Sequence, residues 1–422
     1  MATSSVLERR LTLADAVFIG LGSMLGAGVF SVFAPAAAVA GSWLPVAIAV
    51  AAVLASLNAL STAQLAMAYP TSGGAYVFGR TMLGPLPGFA AGWGFVAGKT
   101  ASTAAIALVF ATYVAPGHSK LVALVALVAA CCINLVGITR TAGATRLLVL
   151  PVLAVLIVLI AVVSFSGPSA STLSTIDSLS SPFSPTGVLG GASLLFFAFA
   201  GYARVATLGE EVAEPRRTIP RAVLTALGIV LALYIALGWL LVRGLSIGGL
   251  TVSSAPLTEL AEATGHSWLS PALRIAAALA TGGALLSLLA GVSRTALAMA
   301  RNRDLPHWFA HVDSRFHTPA RAEVAVTAVA CVLVLLLDPV HLIGVSSLAV
   351  LLYYLVANLS AAKQILDRRV LPRTLSLVGA LGCGVLALSV PRTSLLVGAA
   401  LVGVGVIGWL MLARPRREQS RR

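Results

Sequence analysis

The sequence predicts an all-α integral membrane protein with twelve transmembrane helices, the first and sixth of them discontinuous. Three observations predict it: too little charge to cover a water-soluble surface, apolar runs at regular spacing, and a one-sided distribution of basic residues. Of 422 residues, 59% are hydrophobic and only 10% are charged, against roughly 25% charged in a soluble domain. Each crossing needs about 20 apolar residues, so at roughly 35 residues per crossing with its loop about twelve fit.

The apolar runs place the helices near 12–38, 43–67, 86–114, 120–137, 146–166, 187–209, 222–243, 270–300, 322–337, 340–362, 374–390 and 394–413. A cytoplasmic N-terminus then fixes the side of every loop. Of the 28 Lys and Arg residues, 21 fall in loops or tails assigned inside and three (Lys120, Arg243, Arg392) in loops assigned outside; Lys99, Arg204, Arg274 and Arg294 lie within spans. A missed span would scramble this asymmetry, which follows the rule that cytoplasmic loops retain the positive charge. The Ser- and Pro-rich segment 167–186 contains no Lys or Arg, as expected of an external loop. Both termini are expected in the cytoplasm and the protein in the inner or plasma membrane.

The same distribution decides the meaning of the net charge of +14. The charges alternate with apolar runs rather than forming one solvated face, so they read as topology determinants, not as a nucleic-acid surface. Met1 to Arg10 is short, polar and basic, without a separate signal-peptide core, and the first span is expected to act as the targeting signal. Cys131, Cys132, Cys331 and Cys383 all lie inside apolar runs, without metal-ligand spacing, and read as small buried hydrophobes. There is no nucleotide loop, hydrolase elbow or His–Glu cluster, so an enzyme is not expected, nor a bound cofactor. Two inner loops look structured. Pro70–Pro85 carries two glycines and an aromatic pair and is expected to run along the membrane surface. Arg301–Arg321 mixes Trp308 and Phe309 with basic residues, the composition of an interfacial helix.

The first span holds Gly20, Gly22, Gly26 and Gly28 within nine residues, each weakening a helix by about 1 kcal/mol relative to alanine. Unwound backbone survives in a bilayer only where it lines an enclosed cavity. The sixth span holds Gly201 among bulky aromatics, in Phe196-Phe-Ala-Phe-Ala-Gly-Tyr202. Interruptions at matching positions in two halves point to a transporter site. Half-helix N-termini offer amide donors to a carboxylate, and freed carbonyls can take an ammonium, so one zwitterion satisfies both. Close helix packing through Gly22-x-x-x-Gly26 is the other reading of the first-span glycines.

Five segments resemble the amino acid–polyamine–organocation permeases: Gly22-Ser-Met-Leu-Gly-Ala-Gly-Val-Phe30, Pro70-Thr-Ser-Gly-Gly-Ala-Tyr76, Phe197-Ala-Phe-Ala-Gly-Tyr202, Glu210-Glu-Val-Ala-Glu-Pro-Arg-Arg-Thr-Ile-Pro-Arg221 and Met299-Ala-Arg-Asn-Arg-Asp-Leu-Pro306. The resemblance spans about 10–365 with the spacing between motifs kept. It implies a single transporter domain with a LeuT-type 5+5 inverted repeat: repeat 1 over about 12–166, repeat 2 over about 187–365, two accessory helices over about 374–413, and a tail at 414–422. It also implies site roles. The substrate carboxylate meets the amides of Gly26, Ala27 and Gly28. The ammonium meets carbonyls near Met24 and in the sixth-span break, at Phe197 and Ala200 beside Gly201. Phe197 caps the substrate.

The intramembrane charges refine this picture. Lys99 sits in mid-span, which costs at least about 2.5 kcal/mol and marks it as functional. No acidic residue occupies the centre of any span, and an unpaired lysine in such a site can load and release a proton. Related proton-coupled permeases use a lysine in the fifth span, where this chain has Val155; Lys99 is expected to supply that function from the third, with the proton as coupling ion, and exchange is the alternative mode of transport. Cation-transporting relatives carry an acid after the Gly–aromatic pair, whereas this chain has Ala203 and Arg204. The departure disfavours polyamines and basic amino acids, favours neutral ones, and keeps acidic amino acids or other small organic anions as an alternative. Glu210 and Glu211 with Arg216 and Arg217 form a candidate inner gate. Ser287 and Ser293 are the candidate ligands if the coupling ion is sodium instead. The rivals in other classes are a channel, for which no repeated pore segment is visible, and a transporter-like nutrient sensor. The expected partners are an amino acid and the lipid bilayer; oligomeric state is not legible.

Overall fold

A computed structural model describes residues 11–26, 28–69, 74–136, 142–166, 182–206, 208, 211–316, 318–365 and 371–419. These residues fold into helices α1 (Leu13–Leu25), α2 (Gly28–Ser31), α3 (Phe33–Ala40), α4 (Leu44–Ala68), α5 (Gly74–Met82), α6 (Pro85–Val114), α7 (Ser119–Leu135), α8 (Ala142–Phe165) and α9 (Pro185–Phe199). The second part continues with α10 (Ala203–Ala206), α11 (Pro215–Val252), α12 (Pro256–Ala263), α13 (Ser270–Arg301), α14 (Ala320–Leu336), α15 (Pro339–Lys363), α16 (Arg373–Leu388) and α17 (Arg392–Gln419). Nine helical stretches among the described residues are long and apolar enough to cross a membrane, and α9 and α16 are shorter apolar helices.

Helices are the expected solution where lipid offers no hydrogen bonds to the backbone. Their starts follow local rules. Thr12 caps α1 through a capping box with Asp15, and proline opens α6, α9, α11 and α15 at its first positions, where a missing N–H costs nothing.

Two helices form the centre. The hydrophobic window of α6 is 89% buried and that of α15 78%, against 17% for α17 and 22% for the stretch containing α7. Lipid supplies no hydrophobic drive between helices, so close packing of small residues must hold them. The sequence Gly94-x-x-x-Gly98-x-x-x-Ser102 on α6 provides it. A Cβ on Gly94 would lie 3.0 Å from the Ala349 carbonyl oxygen, and one on Gly98 2.7 Å from Ala349 Cβ. One turn further, the Ser102 and Ser346 hydroxyls bond to each other. Around this pair, α1 packs on α11 and α8, and α9 packs on α3 and α4.

The structure departs from the sequence reading in four places. Of the four cysteines expected to be buried, Cys132 is exposed and Cys331 only partly buried. Among the described residues, the expected interfacial helix in Arg301–Arg321 is reduced to one 3-10 turn, His307–Ala310. Arg303 takes a left-handed φ of 59° and Asp304 turns inward, which ends helical propagation. The seventh span extends from Pro215 to Val252, with a kink at Ser246. The loop after it contains α12, too short and too charged to stand out in an apolar scan. The loop at Pro70–Pro85 does contain a helix, α5, from Gly74 onward; residues 70–73 lie outside the described residues.

Candidate functional site

The two predicted interruptions are present, and they meet. Helix α1 ends at Leu25, Gly26 leaves helical geometry (φ −45°, ψ −101°), and the chain resumes at Gly28. Ala27 lies outside the described residues. Helix α9 ends at Phe199, Ala200–Tyr202 form a turn, and α10 follows. A Cβ on Gly201 would collide with the Ser23 carbonyl and lie 2.6 Å from the Met24 amide nitrogen. One on Gly28 would lie 2.6 Å from Ala198 Cα, and one on Gly26 2.6 Å from Ala284 Cβ of α13. Glycine is required in both breaks because backbone there runs against backbone. Gly20 and Gly22 have the other role: they remain helical, and an added Cβ would meet Val205 of α10 at 2.9 Å and Val149 of α8 at 3.0 Å.

A broken helix leaves carbonyls without their helical partner, and in this apolar interior each needs a donor. Tyr234 of α11 donates its hydroxyl to the Met24 carbonyl at 2.8 Å and lies 3.4 Å from that of Ala198. The Ala200 carbonyl accepts from the Tyr354 hydroxyl and from Lys99 Nζ, both at 3.3 Å. Met24, Ala200 and Lys99 are all buried. Two of the three carbonyls expected to take a substrate ammonium, those of Met24 and Ala200, are thus held by side chains of the protein, and the third, that of Phe197, accepts the Ala200 N–H. Lys99 is 8% exposed. Among the described residues it pairs with no carboxylate; its partner is the backbone of the sixth-span break.

Aromatic rings enclose the junction. Tyr202 stacks on Tyr354 at 5.1 Å between centroids, Phe196 meets Tyr354 edge-on at 5.7 Å, and Phe199 tilts against Tyr234 at 5.1 Å. Phe197 is half-buried, and its carbonyl accepts the Ala200 N–H at 3.4 Å. Tyr234 and Tyr354 escaped the sequence reading. The signal was available: a tyrosine inside an apolar span must find a hydrogen-bond partner.

Below the breaks the two halves are joined directly. Leu11 N–H donates to the Glu211 carbonyl and Ala213 N–H to the Leu11 carbonyl, both at 3.0 Å, forming a parallel bridge between the approach to α1 and the exit from α10. Arg204 lies within electrostatic reach of Arg294 and Glu211. Glu210 lies outside the described residues. Arg217 pairs with Glu214 at 3.6 Å, both largely exposed, a contact worth about 0–1 kcal/mol; it is not the pairing expected of the gate set. Arg146 of α8 pairs with Asp15 of α1 at 2.8 Å. Ser287 Oγ donates to the Gly283 carbonyl at 2.8 Å and Ser293 Oγ to that of Ala290 at 3.2 Å, so both hydroxyls bond their own helix.

A second polar centre lies just past the C-terminal end of α13. Buried Asp304 accepts from Tyr76 Oη at 2.6 Å, from Arg80 and from Trp409 Nε1 at 3.0 Å, tying α5 and α17 together. Burial and the neighbouring carboxylate push the Tyr76 phenol up to about 12, so it donates throughout the physiological range. The motif Arg301-Asn-Arg-Asp-Leu-Pro306 marked this region, but not Asp304 as its hub.

A bundle of apolar helices whose two interruptions expose backbone to one another is the architecture of a membrane transporter. Residues 11–413 match the family model described as "Amino acid permease", and the chain belongs to that family. It is 50% identical over 418 residues, 98% of this chain and 94% of the other, to a protein of Mycobacterium tuberculosis named "uncharacterized transporter". It is 25% identical to the branched-chain amino acid permease of Bacillus subtilis, covering 74% of this chain and 71% of that one. To the chloroplastic cationic amino acid transporter 7 of Arabidopsis thaliana it is 26% identical, over 83% and 65%. The family and these relatives are transporters, not enzymes.

Proposed function

We propose that this amino acid permease carries neutral amino acids by alternating access, binding the zwitterion where the two helix breaks meet. The observation that carries the reading is the pair of freed carbonyls, Met24 and Ala200, held by exchangeable side-chain donors beside the amides of Gly26 and Gly28. A substrate ammonium replaces those donors and a substrate carboxylate takes the amides. The interruptions in α1–α3 and α9–α10 stand in corresponding positions of a 5+5 inverted repeat. On this reading the nine long stretches and the shorter apolar helices α9 and α16, together with α14, are the twelve crossings, set in the inner or plasma membrane with both termini on the cytoplasmic side.

The absence of a carboxylate at the junction, among the described residues, supports neutral over basic substrates. That is in keeping with the branched-chain name of the Bacillus relative and against the cationic name of the plant one. Lys99 is the proposed coupling group. A buried ammonium held by a carbonyl rather than by an acid can give up its proton without leaving an unpaired anion behind. The acidic-substrate alternative draws on the same cation. Melting the purified protein against each standard amino acid tests the substrate class, because a ligand that binds the folded state alone raises apparent stability. Neutral amino acids are expected to raise the melting temperature. A response confined to acidic ones would transfer the assignment to the alternative.

A further inference from the structure

A pocket of about 240 Å³ opens at the end of the bundle that the basic-residue asymmetry assigns to the outside. It lies between the end of α6, the helix α12 and the start of α13, and its wall includes Tyr113, Ser254, Thr258, Glu259, Glu262 and Arg274. Neither interrupted helix contributes to its lining.

Three features distinguish it from a plain crevice between helices. First, it is lined by both signs of charge, yet Arg274 forms no ion pair within 4.0 Å with Glu259 or Glu262. Opposite charges facing one pocket without touching leave a gap that a doubly charged ligand can bridge. Second, among the described residues each carboxylate is positioned through one oxygen: Glu259 Oε1 accepts the Ala255 N–H at 3.2 Å, and Glu262 Oε1 accepts the Ser270 hydroxyl at 2.9 Å. The second oxygen of each is left for a ligand. Third, Thr258 Oγ1 is buried, lines the pocket and has no hydrogen-bond partner among the described residues. A buried hydroxyl is normally satisfied, so one without a protein partner is open to a water molecule or a ligand.

We infer that this outer pocket is a second binding site for an α-amino acid zwitterion, with Arg274 taking the carboxylate and Glu259 and Glu262 the ammonium. The reading rests on the chain's being an amino acid permease, but it concerns a site separate from the junction of the breaks. The pocket has a direct line to the first break. Tyr113, on its wall, donates its hydroxyl to the Phe30 carbonyl of α2 at 3.2 Å and meets the Phe30 ring edge-on at 5.6 Å. An occupant beside Tyr113 therefore lies one hydrogen bond from the outer half of the interrupted first span. This placement suits a site that collects substrate before the junction opens to it.

The test is protection of a cysteine placed on the pocket rim. Ser254 is exposed. Ser254→Cys in proteoliposomes is modified by a membrane-impermeant thiol reagent, with each standard amino acid tested singly and the wild-type chain as background. At least one amino acid is expected to slow modification several-fold. That protection is expected to be lost when Ser254→Cys is combined with Arg274→Gln or with Glu259→Gln, both checked for unchanged elution and melting. Glutamine at 259 still accepts the Ala255 N–H, so loss there reports the ligand and not the cap. Absence of protection by every amino acid overturns the inference, as does protection that persists in both combined variants, because it would then arise at the junction. Uptake by the wild type, measured alongside, separates the two readings. Uptake without protection removes the pocket and leaves the permease; protection without uptake does the reverse.

Discussion

The two helix breaks meet the same requirement with different residues. In α1–α2 the chain uses Gly26 and Gly28, and the freed Met24 carbonyl is held by one neutral donor, Tyr234. In α9–α10 a single glycine, Gly201, suffices, and the freed Ala200 carbonyl is held by two donors, one of them the ammonium of Lys99. The first break needs more glycine because it approaches α9 and α13 at once, whereas the atoms nearest Gly201 belong to the Ser23–Met24 backbone. The second break carries the charge. Geometric constraint is therefore concentrated at the first break and charge at the second, where it is delivered by Lys99 of α6.

The largest effect expected is at the contact between the breaks. Gly201→Ala places a methyl group on the Ser23 carbonyl and should abolish uptake in proteoliposomes. Gly228→Ala, where an added Cβ meets nothing within 4 Å, should transport like the wild type. Equal losses in the two would show that contact between the breaks is not what matters. The next effect belongs to the charged side. Lys99→Ala should flatten the pH dependence of uptake while leaving the bundle folded, since the Ala200 carbonyl keeps its Tyr354 bond. Identical pH profiles would remove Lys99 from coupling. The smallest effect separates the two carbonyls. Tyr234→Phe strips Met24 of its side-chain donor and should lower stability by about 1 kcal/mol, within the range for hydrogen bonds between membrane helices. Tyr354→Phe leaves Lys99 in place on Ala200 and should cost less. The reverse order, read by melting temperature, would mean that Lys99 does not hold that carbonyl.

Much of this architecture is legible in the amino-acid sequence. The spans at 86–114, 270–300 and 340–362 match α6, α13 and α15 closely, because lipid forces an apolar run of that length to be helical. Both breaks are marked by glycine where helix propensity falls, and Gly26, Gly28 and Gly201 stand at them. Contacts between distant parts of the chain are not legible in this way. Lys99 and Ala200 are 101 residues apart, and nothing local announces that the lysine's partner is a carbonyl. Tyr234 and Tyr354 are hidden for the same reason, and Asp304 reads as part of a polar loop although it is buried beneath Tyr76, Arg80 and Trp409. The short α12 escapes notice because an apolar scan discards a helix containing Glu259 and Glu262.

The most direct test of the account is counterflow. Proteoliposomes containing the reconstituted chain and loaded with an unlabelled neutral amino acid should accumulate the labelled form transiently and saturably, and Gly201→Ala should abolish that overshoot while Gly228→Ala preserves it. Saturable counterflow that survives Gly201→Ala unchanged would contradict a binding site at the junction of the two breaks.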